Sequence, residues 1–306
     1  MKKILIAILL SITSVTIFAQ EYPLTSSYLL NPLMINPSYA GSGSGLRASI
    51  HHYNKWVGVK GSPRTNTLSV DMPIGREKVG LGLIMYNDKI GVTKENNIAL
   101  NYAYRIDVGR GFLAFGLGTA INFSRTNWSE LVTVDQGDEM YMVDSRLFVS
   151  PNVSFGIYYS YDKFYVGFSI PEFLTTEYDY NEEKQVLRNR GVSDYTYMLN
   201  SGYTIDLSKK FSLTPSTLLR YSSTPGFEAY FNAAFEYNNV ASLTFSYCTY
   251  NVLGFTAQVQ ISEKFKLGYT YELDVNKMGR YNNGSHSVML RFALRKQVNA
   301  FNPLDF

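Results

Sequence analysis

Residues 111–124, Gly-Phe-Leu-Ala-Phe-Gly-Leu-Gly-Thr-Ala-Ile-Asn-Phe-Ser, constrain the fold more than any other stretch. One face reads Leu113, Phe115, Leu117, Thr119, Ile121 and Phe123. The other reads Ala114, Gly116, Gly118, Ala120, Asn122 and Ser124. Side chains alternate across a strand, so one face here is large and apolar while the other is small or polar. A soluble strand buries its apolar face in a core. A membrane-crossing strand turns that face to lipid and the small face to a lumen. Recurrence separates the two.

The pattern returns along nearly the whole chain. Phe227, Phe231 and Phe235 alternate with Glu228, Asn232 and Glu236, and Leu267, Tyr269 and Tyr271 with Lys266, Gly268, Thr270 and Glu272. A sandwich core has no room for those charges, because buried charge is costly unless paired; a wet lumen accepts them. The alternation predicts about fourteen strands, many near the length a tilted strand needs to cross the hydrocarbon layer. They fall near 46–56, 64–73, 79–87, 97–106, 112–125, 147–161, 164–172, 195–207, 211–221, 226–237, 240–250, 253–261, 265–274 and 286–295.

The connections sort by length. Tight polar turns follow every second strand, as at Asp107–Gly111, Asp162-Lys163, Ser208–Lys210, Asn238-Asn239 and Ser262–Lys264. The intervening connections are mostly longer, notably 126–146 and 173–194. Short turns at one end and long loops at the other mark an outer-membrane barrel. Lipid offers no partner to backbone N–H and C=O groups, so the sheet must close. Tyrosine outnumbers tryptophan 25 to 2, and Tyr158, Tyr159, Tyr161, Tyr269 and Tyr271 fall near expected strand ends. They fit an aromatic girdle at the headgroup level, although tyrosine is also simply a good strand former.

Composition narrows the class. Met1-Lys2-Lys3, an apolar run from Ile4 to Leu10 and a cut between Ala19 and Gln20 read as a secretory signal peptide. No later run is apolar and long enough for a membrane helix. The expected organisation is a signal peptide over 1–19, a plug or periplasmic arm over 20–45, a barrel over 46–295 and a periplasmic tail over 296–306. A net charge of +3 without a basic aromatic stripe argues against nucleic acid. The single cysteine, Cys248, excludes an internal disulfide framework and falls on an inner face.

Chemistry is not evident. His51 and His52 point to opposite faces of a strand and cannot share a metal, and His286 reads as a polar residue at a strand end. The carboxylates of 172–183 lack EF-hand spacing. Gly116-Leu117-Gly118 sits within an alternating strand, not at a strand-to-helix turn, so it leaves lumen space and does not bind a dinucleotide. No catalytic, metal or cofactor site is expected, and the chain reads as a non-enzyme.

Ahead of the first strand lies Tyr28-Leu29-Leu30-Asn31-Pro32-Leu33-Met34-Ile35-Asn36-Pro37-Ser38-Tyr39-Ala40-Gly41. Two Asn-Pro pairs fix turns, and the apolar residues between them need a place to bury. The glycine-faced lumen offers one, so 20–45 is expected to fold partly inside the barrel; the alternative is an arm free of the lumen.

The chain here resembles the PorP/SprF family, outer-membrane proteins of the type IX secretion system of Bacteroidetes. The resemblance rests on the box Asn36, Pro37, Ser38, Tyr39, Ala40 and Gly41, in which the family commonly has alanine in place of Ser38. It continues through Trp56-Val57-Gly58, Gly61-Ser62-Pro63-Arg64-Thr65, Tyr102-Ala103-Tyr104 and Gly284-Ser285-His286-Ser287-Val288-Met289-Leu290. His51-His52-Tyr53-Asn54-Lys55 departs from it, since the family more often carries arginine and glutamine there. The resemblance implies a barrel of roughly fourteen strands that helps deliver or anchor secreted proteins with a C-terminal sorting domain, such as gliding adhesins. It also implies contact with periplasmic parts of the secretion machinery, and no enzymatic activity. Trp128, Tyr178, Asp179 and Tyr180 in the long loops are candidate partner contacts, because rings supply contact area at modest entropic cost. The competing class is an outer-membrane channel for hydrophobic or small polar solutes.

Overall fold

The structure, a computed structural model, describes residues 26–75, 78–130, 144–179, 184–189, 191–223 and 226–295. The expected cleavage site at Ala19-Gln20 and the expected tail over 296–306 lie outside the described residues. In chain order the strands begin with β1 (Gly45–Asn54), β2 (Arg64–Ile74), β3 (Val79–Ile90), β4 (Thr93–Val108), β5 (Gly111–Thr126), β6 (Phe148–Tyr161) and β7 (Phe164–Ile170). A separate hairpin, β8 (Leu174–Asp179) and β9 (Lys184–Asn189), follows. The series ends with β10 (Tyr197–Tyr203), β11 (Ile205–Asp206), β12 (Phe211–Ser222), β13 (Gly226–Tyr237), β14 (Ala241–Cys248), β15 (Val252–Gln260), β16 (Phe265–Asp274) and β17 (Ser285–Arg295).

Outside that hairpin, each strand pairs antiparallel with its sequence neighbours, and β1 pairs with β17 from Gly45↔Arg295 to Asn54↔His286. β10 and β11 hold one register against β12 on either side of Thr204, whose hydroxyl lies 3.0 Å from that of Thr214. They therefore form a single strand, and the sheet is a closed antiparallel barrel of 14 strands. Closure removes the edge that lipid could not satisfy. No helix among the described residues is long and apolar enough to cross a membrane.

The faces divide as the alternation requires. Leu117, Phe231 and Leu243 are 57%, 53% and 56% exposed on the outside, while Ala114 and Glu228 on the inner faces are 0% and 1% exposed. An apolar exterior around a polar interior is the pattern of a transmembrane barrel. Leu117→Arg is therefore expected to cost about 2–4 kcal/mol of stability by placing charge in lipid. Asn122→Arg on the inner face of the same strand is expected to cost clearly less. Heat-modifiable gel migration reads both, and equal losses would reverse the face assignment.

At one end the connections are tight: Asn238 and Asn239 between β13 and β14 have φ of 50° and 57°, the left-handed pair that a two-residue hairpin needs. At the other end the lengths differ from expectation. Residues 88–96 were expected to connect two strands, but β3 and β4 pair out to Ile90↔Thr93 and leave only Gly91-Val92 as a turn. The 173–194 connection carries the β8–β9 hairpin.

The inner face is also where the described chain has its hydrophobic core. Residues 26–39 form three short 3-10 turns, Ser26–Leu29, Pro32–Met34 and Pro37–Tyr39. Proline opens the second and third, where its fixed φ suits the first turn. One apolar cluster joins Leu33, Met34, Tyr39 and Ala40 to Ile84, Ala103, Ala114, Tyr158 and Tyr165; the other joins Tyr28 and Ile35 to Met198, Leu218, Tyr230 and Cys248. Tyr158 was expected in a girdle, but it lies 0% exposed on the inner face with its ring 4.3 Å from that of Tyr39. It shares that face with Gly156 and Ser160, so strand parity turns it inward. Tyr161 and Tyr269 are exposed on the outside.

Candidate functional site

The box residues meet the wall at several strands. Asn36 Nδ2 donates to the carbonyls of Ile157 on β6 (3.1 Å) and Phe168 on β7 (3.2 Å), while its Oδ1 accepts from Ser38 N (2.9 Å) and Ser38 Oγ (2.5 Å). Tyr39 Oη accepts from Asn200 on β10 at 2.7 Å, and Ser169 Oγ donates to the Ile35 carbonyl at 2.6 Å. On the opposite wall Asn232 bonds to Tyr28 Oη, and Arg291 on β17 bonds to the Leu30 carbonyl. Gly41 N donates to Asp71 at 2.9 Å, Asp71 pairs with Arg47 at 2.7 Å, and Arg105 bonds to the Ala40 carbonyl.

Glycines make the close approach possible. A Cβ at Gly116 would overlap the backbone of Pro37 and Ser38, and one at Gly80 would overlap the Ala40 carbonyl. The small face of 111–124 is thus small at Gly116 because backbone lies against it, and at Gly118 because the Ser154 and Asn101 side chains do.

Toward the loop end, β3 to β6 and residues 33–37 enclose a basin of about 330 Å³. Its wall is set by register. Glu95, Asn97, Ala99 and Asn101 on β4 stand opposite Ser124, Asn122, Ala120 and Gly118 on β5. Glu95 Oε1 accepts from Tyr86 Oη (3.2 Å) and Asn122 Nδ2 (2.6 Å). Asn152 holds the rim, its Oδ1 accepting from the backbone of Phe173 (3.1 Å) and Leu174 (3.2 Å).

The opposite side of the loop end is charged. Arg220 and Glu228 pair at 3.0 Å with side chains 6% and 1% exposed, and Tyr230 Oη donates to Glu228 at 2.8 Å. Cys248 Sγ lies 3.5 Å from the same carboxylate, on the inner face as expected. Tyr53 Oη donates to Glu272 at 2.7 Å. Burial holds the Lys55 ammonium below the usual lysine value, opposed by Glu272, Asp274 and Glu228.

Three of the segments that carry the resemblance converge here from distant parts of the chain. Val57 and Asn283–Gly284 exchange backbone hydrogen bonds at 2.8 Å, Trp56 N donates to Ser285 Oγ at 3.1 Å, and Gly91 N donates to the Gly61 carbonyl at 2.8 Å. Gly284, at φ 81°, packs where a Cβ would strike Tyr271. Spacing alone could not have joined 56 to 284; the β1–β17 seam does so.

The candidate contact residues are spread out. Trp128 is 36% exposed in the 3-10 turn Trp128–Glu130. Tyr178 and Asp179 end β8, in register with Gln185 and Lys184, and Tyr180 lies outside the described residues. His51 and His52 face opposite ways, His51 buried and His52 exposed and bonded to Asn66 at 2.8 Å.

The family model of the type IX secretion system membrane protein PorP/SprF matches residues 17–292. The chain belongs to the PorP/SprF family. This PorP/SprF protein is thus an outer-membrane β-barrel. Among curated proteins none matches the chain. Among solved structures, it is similar to the outer membrane protein Omp33 of Acinetobacter baumannii, at 8% identity over 82% of this chain and 100% of that one, with a TM-score of 0.48. It is also similar to the CymD monoaromatic hydrocarbon channel, at 11% identity over 90% and 95% of the two chains and a TM-score of 0.49. A third similarity is to the KdgM porin, at 8% identity over 81% and 99% and a TM-score of 0.40.

Proposed function

We propose that this PorP/SprF barrel is a non-enzymatic accessory or anchoring component that supports surface delivery or attachment of particular sorting-domain cargo, adhesins among them. The observation that supports the reading is the set of hydrogen bonds from residues 28–41 to Asn232 and Arg291 on one side and to Asn200 and Ile157 on the other, which suits a segment lying across the lumen. A segment so held suits a plug and an anchor better than an open solute path. Each buried apolar side chain, Leu30, Leu33 and Ile35 included, favours the docked state by roughly 1.5–3 kcal/mol.

In this reading the tight turns, the mature N-terminal arm and the tail face the periplasmic secretion machinery. The loops with Trp128, Tyr178, Asp179 and Tyr180 face outward, where cargo docks. A signal peptide ending at Ala19 sends the chain there, and no nucleic acid is involved.

The test is surface proteomics of a deletion strain beside a strain trimmed over 176–190. Loss of a small set of sorting-domain proteins, with general secretion intact, is expected in the first. Weaker display with a folded barrel is expected in the second, because loop tips add little to the strand ladder. An unchanged surface proteome coupled to lost uptake of a solute would replace this reading with the channel.

A further inference from the structure

The basin beside β4 and β5 has a definite chemistry. Among the described residues two carboxylates, Glu95 and Glu172, line it, and no Lys, Arg or His does. Most of its other polar groups are amides and hydroxyls, while Leu33, Met34 and Ile35 form an apolar floor. At about 330 Å³ it lies at the lower end of the range for small-ligand sites.

Its polar groups are not equally engaged. Both ends of the Asn36 amide are satisfied within the box, and Asn152 is committed to the rim. Asn101 is different: it is 6% exposed, and its Nδ2 has no partner. Asn122 donates to Glu95, yet its Oδ1 accepts nothing. Buried polar groups without partners cost free energy, so such groups at a cavity wall point to a guest. Asn101 offers a donor for a carbonyl and Asn122, opposite Asn97 and so four strand positions away, an acceptor for an N–H, as two separate peptide groups of one extended chain would need. The Glu95 carboxylate, with two neutral donors and no lining cation beside it, matches an ammonium or guanidinium.

The spacing agrees. Glu95 to Asn101 spans six residues of one strand, roughly 20 Å at strand rise, with alternate side chains facing the basin. An extended segment entering from the loop end meets Glu95 and Asn122 first and Asn101 deeper. A saccharide would want flat aromatic platforms, and only Tyr86 and Phe148 among the lining residues have rings.

We infer that this basin takes an extended segment of a protein partner, with a Lys or Arg side chain meeting Glu95 and the adjoining backbone meeting Asn101 and Asn122. This rests on the reading that the loop end docks cargo, and it names the chemistry of the docked segment.

The test uses the purified full barrel in lipid nanodiscs, titrated calorimetrically with acetyl-Ala-Lys-Ala-amide, its Gln-centred counterpart and maltotetraose. The lysine peptide is expected to bind about tenfold more tightly than the glutamine peptide, the difference a charge-assisted hydrogen bond makes. Glu95→Gln is expected to erase that difference. Ala120→Trp, which fills the basin, is expected to abolish binding of both peptides. Glu263→Gln, in a turn at the other end, controls for net charge, and heat-modifiable migration verifies that each variant is folded. Equal affinity for the two peptides, or tighter binding of maltotetraose than of the lysine peptide, overturns the inference. Peptide discrimination by a protein whose gene deletion leaves the surface proteome unchanged would sustain the site and remove the cargo reading. Lost cargo with no discrimination would do the reverse.

Discussion

Glu228→Ala is expected to destabilise the barrel by about 3–5 kcal/mol, the cost of leaving a buried charge without its partner. Arg220 and Glu228 lie 3.0 Å apart with almost no exposure, and Tyr230 and Cys248 also address the carboxylate. Removing Glu228 therefore takes a carboxylate from both a guanidinium and a phenol. Exposed pairs behave otherwise: Arg125 and Asp144, 3.5 Å apart and 56% and 28% exposed, should contribute at most about 1 kcal/mol. Urea unfolding in lipid, comparing Glu228→Ala with Asp144→Ala, reads the contrast. Similar small losses in both would mean that water reaches the inner pair freely.

Deleting residues 26–44 is expected to convert a silent barrel into a conducting one. The deletion removes the Asn36, Tyr39 and Tyr28 contacts while leaving every barrel strand from Gly45 onward. A milder route should reach the same end, since a leucine at Gly116 would occupy the place of the Pro37–Ser38 backbone. Single-channel recording in planar bilayers is the measurement. Stepwise conductance in the deletion, intermittent openings in Gly116→Leu and none in the full chain are expected. Steady conductance from the full chain would show that the N-terminal segment does not close the lumen.

The strands were legible in the sequence because period-2 alternation is strongest where one face meets lipid and the other a lumen. That contrast fades beyond the hydrocarbon layer. Asp88 to Asn96 carries charged or polar residues on both faces, with only Ile90 and Val92 apolar, so no alternation marks it as paired strand. Tyr158 was misplaced for another reason. Tyr158-Tyr159 is aromatic on both faces, and only parity with Gly156 assigns them. The basin was partly visible, since Asn97 and Asn101 share one face of an expected strand, while Glu95 fell in an expected connection. Their meeting with Asn122 depends on the β4–β5 register, which no local pattern carries. The convergence of Val57 with Gly284 hangs on barrel closure, a property of the whole chain.

Closure has a consequence for how such a molecule is built. Tyr28 and Leu30 bond to β13 and β17, and Asn36 and Tyr39 to β6, β7 and β10, across sequence separations of up to 261 residues. Made first in synthesis, this stretch is completed last, because half of its partners arrive with the final strands. Contacts so distant form slowly. Until the last strands arrive, Tyr28 and Leu30 lack the partners that β13 and β17 bring, while Asn36 and Tyr39 can already meet β6, β7 and β10.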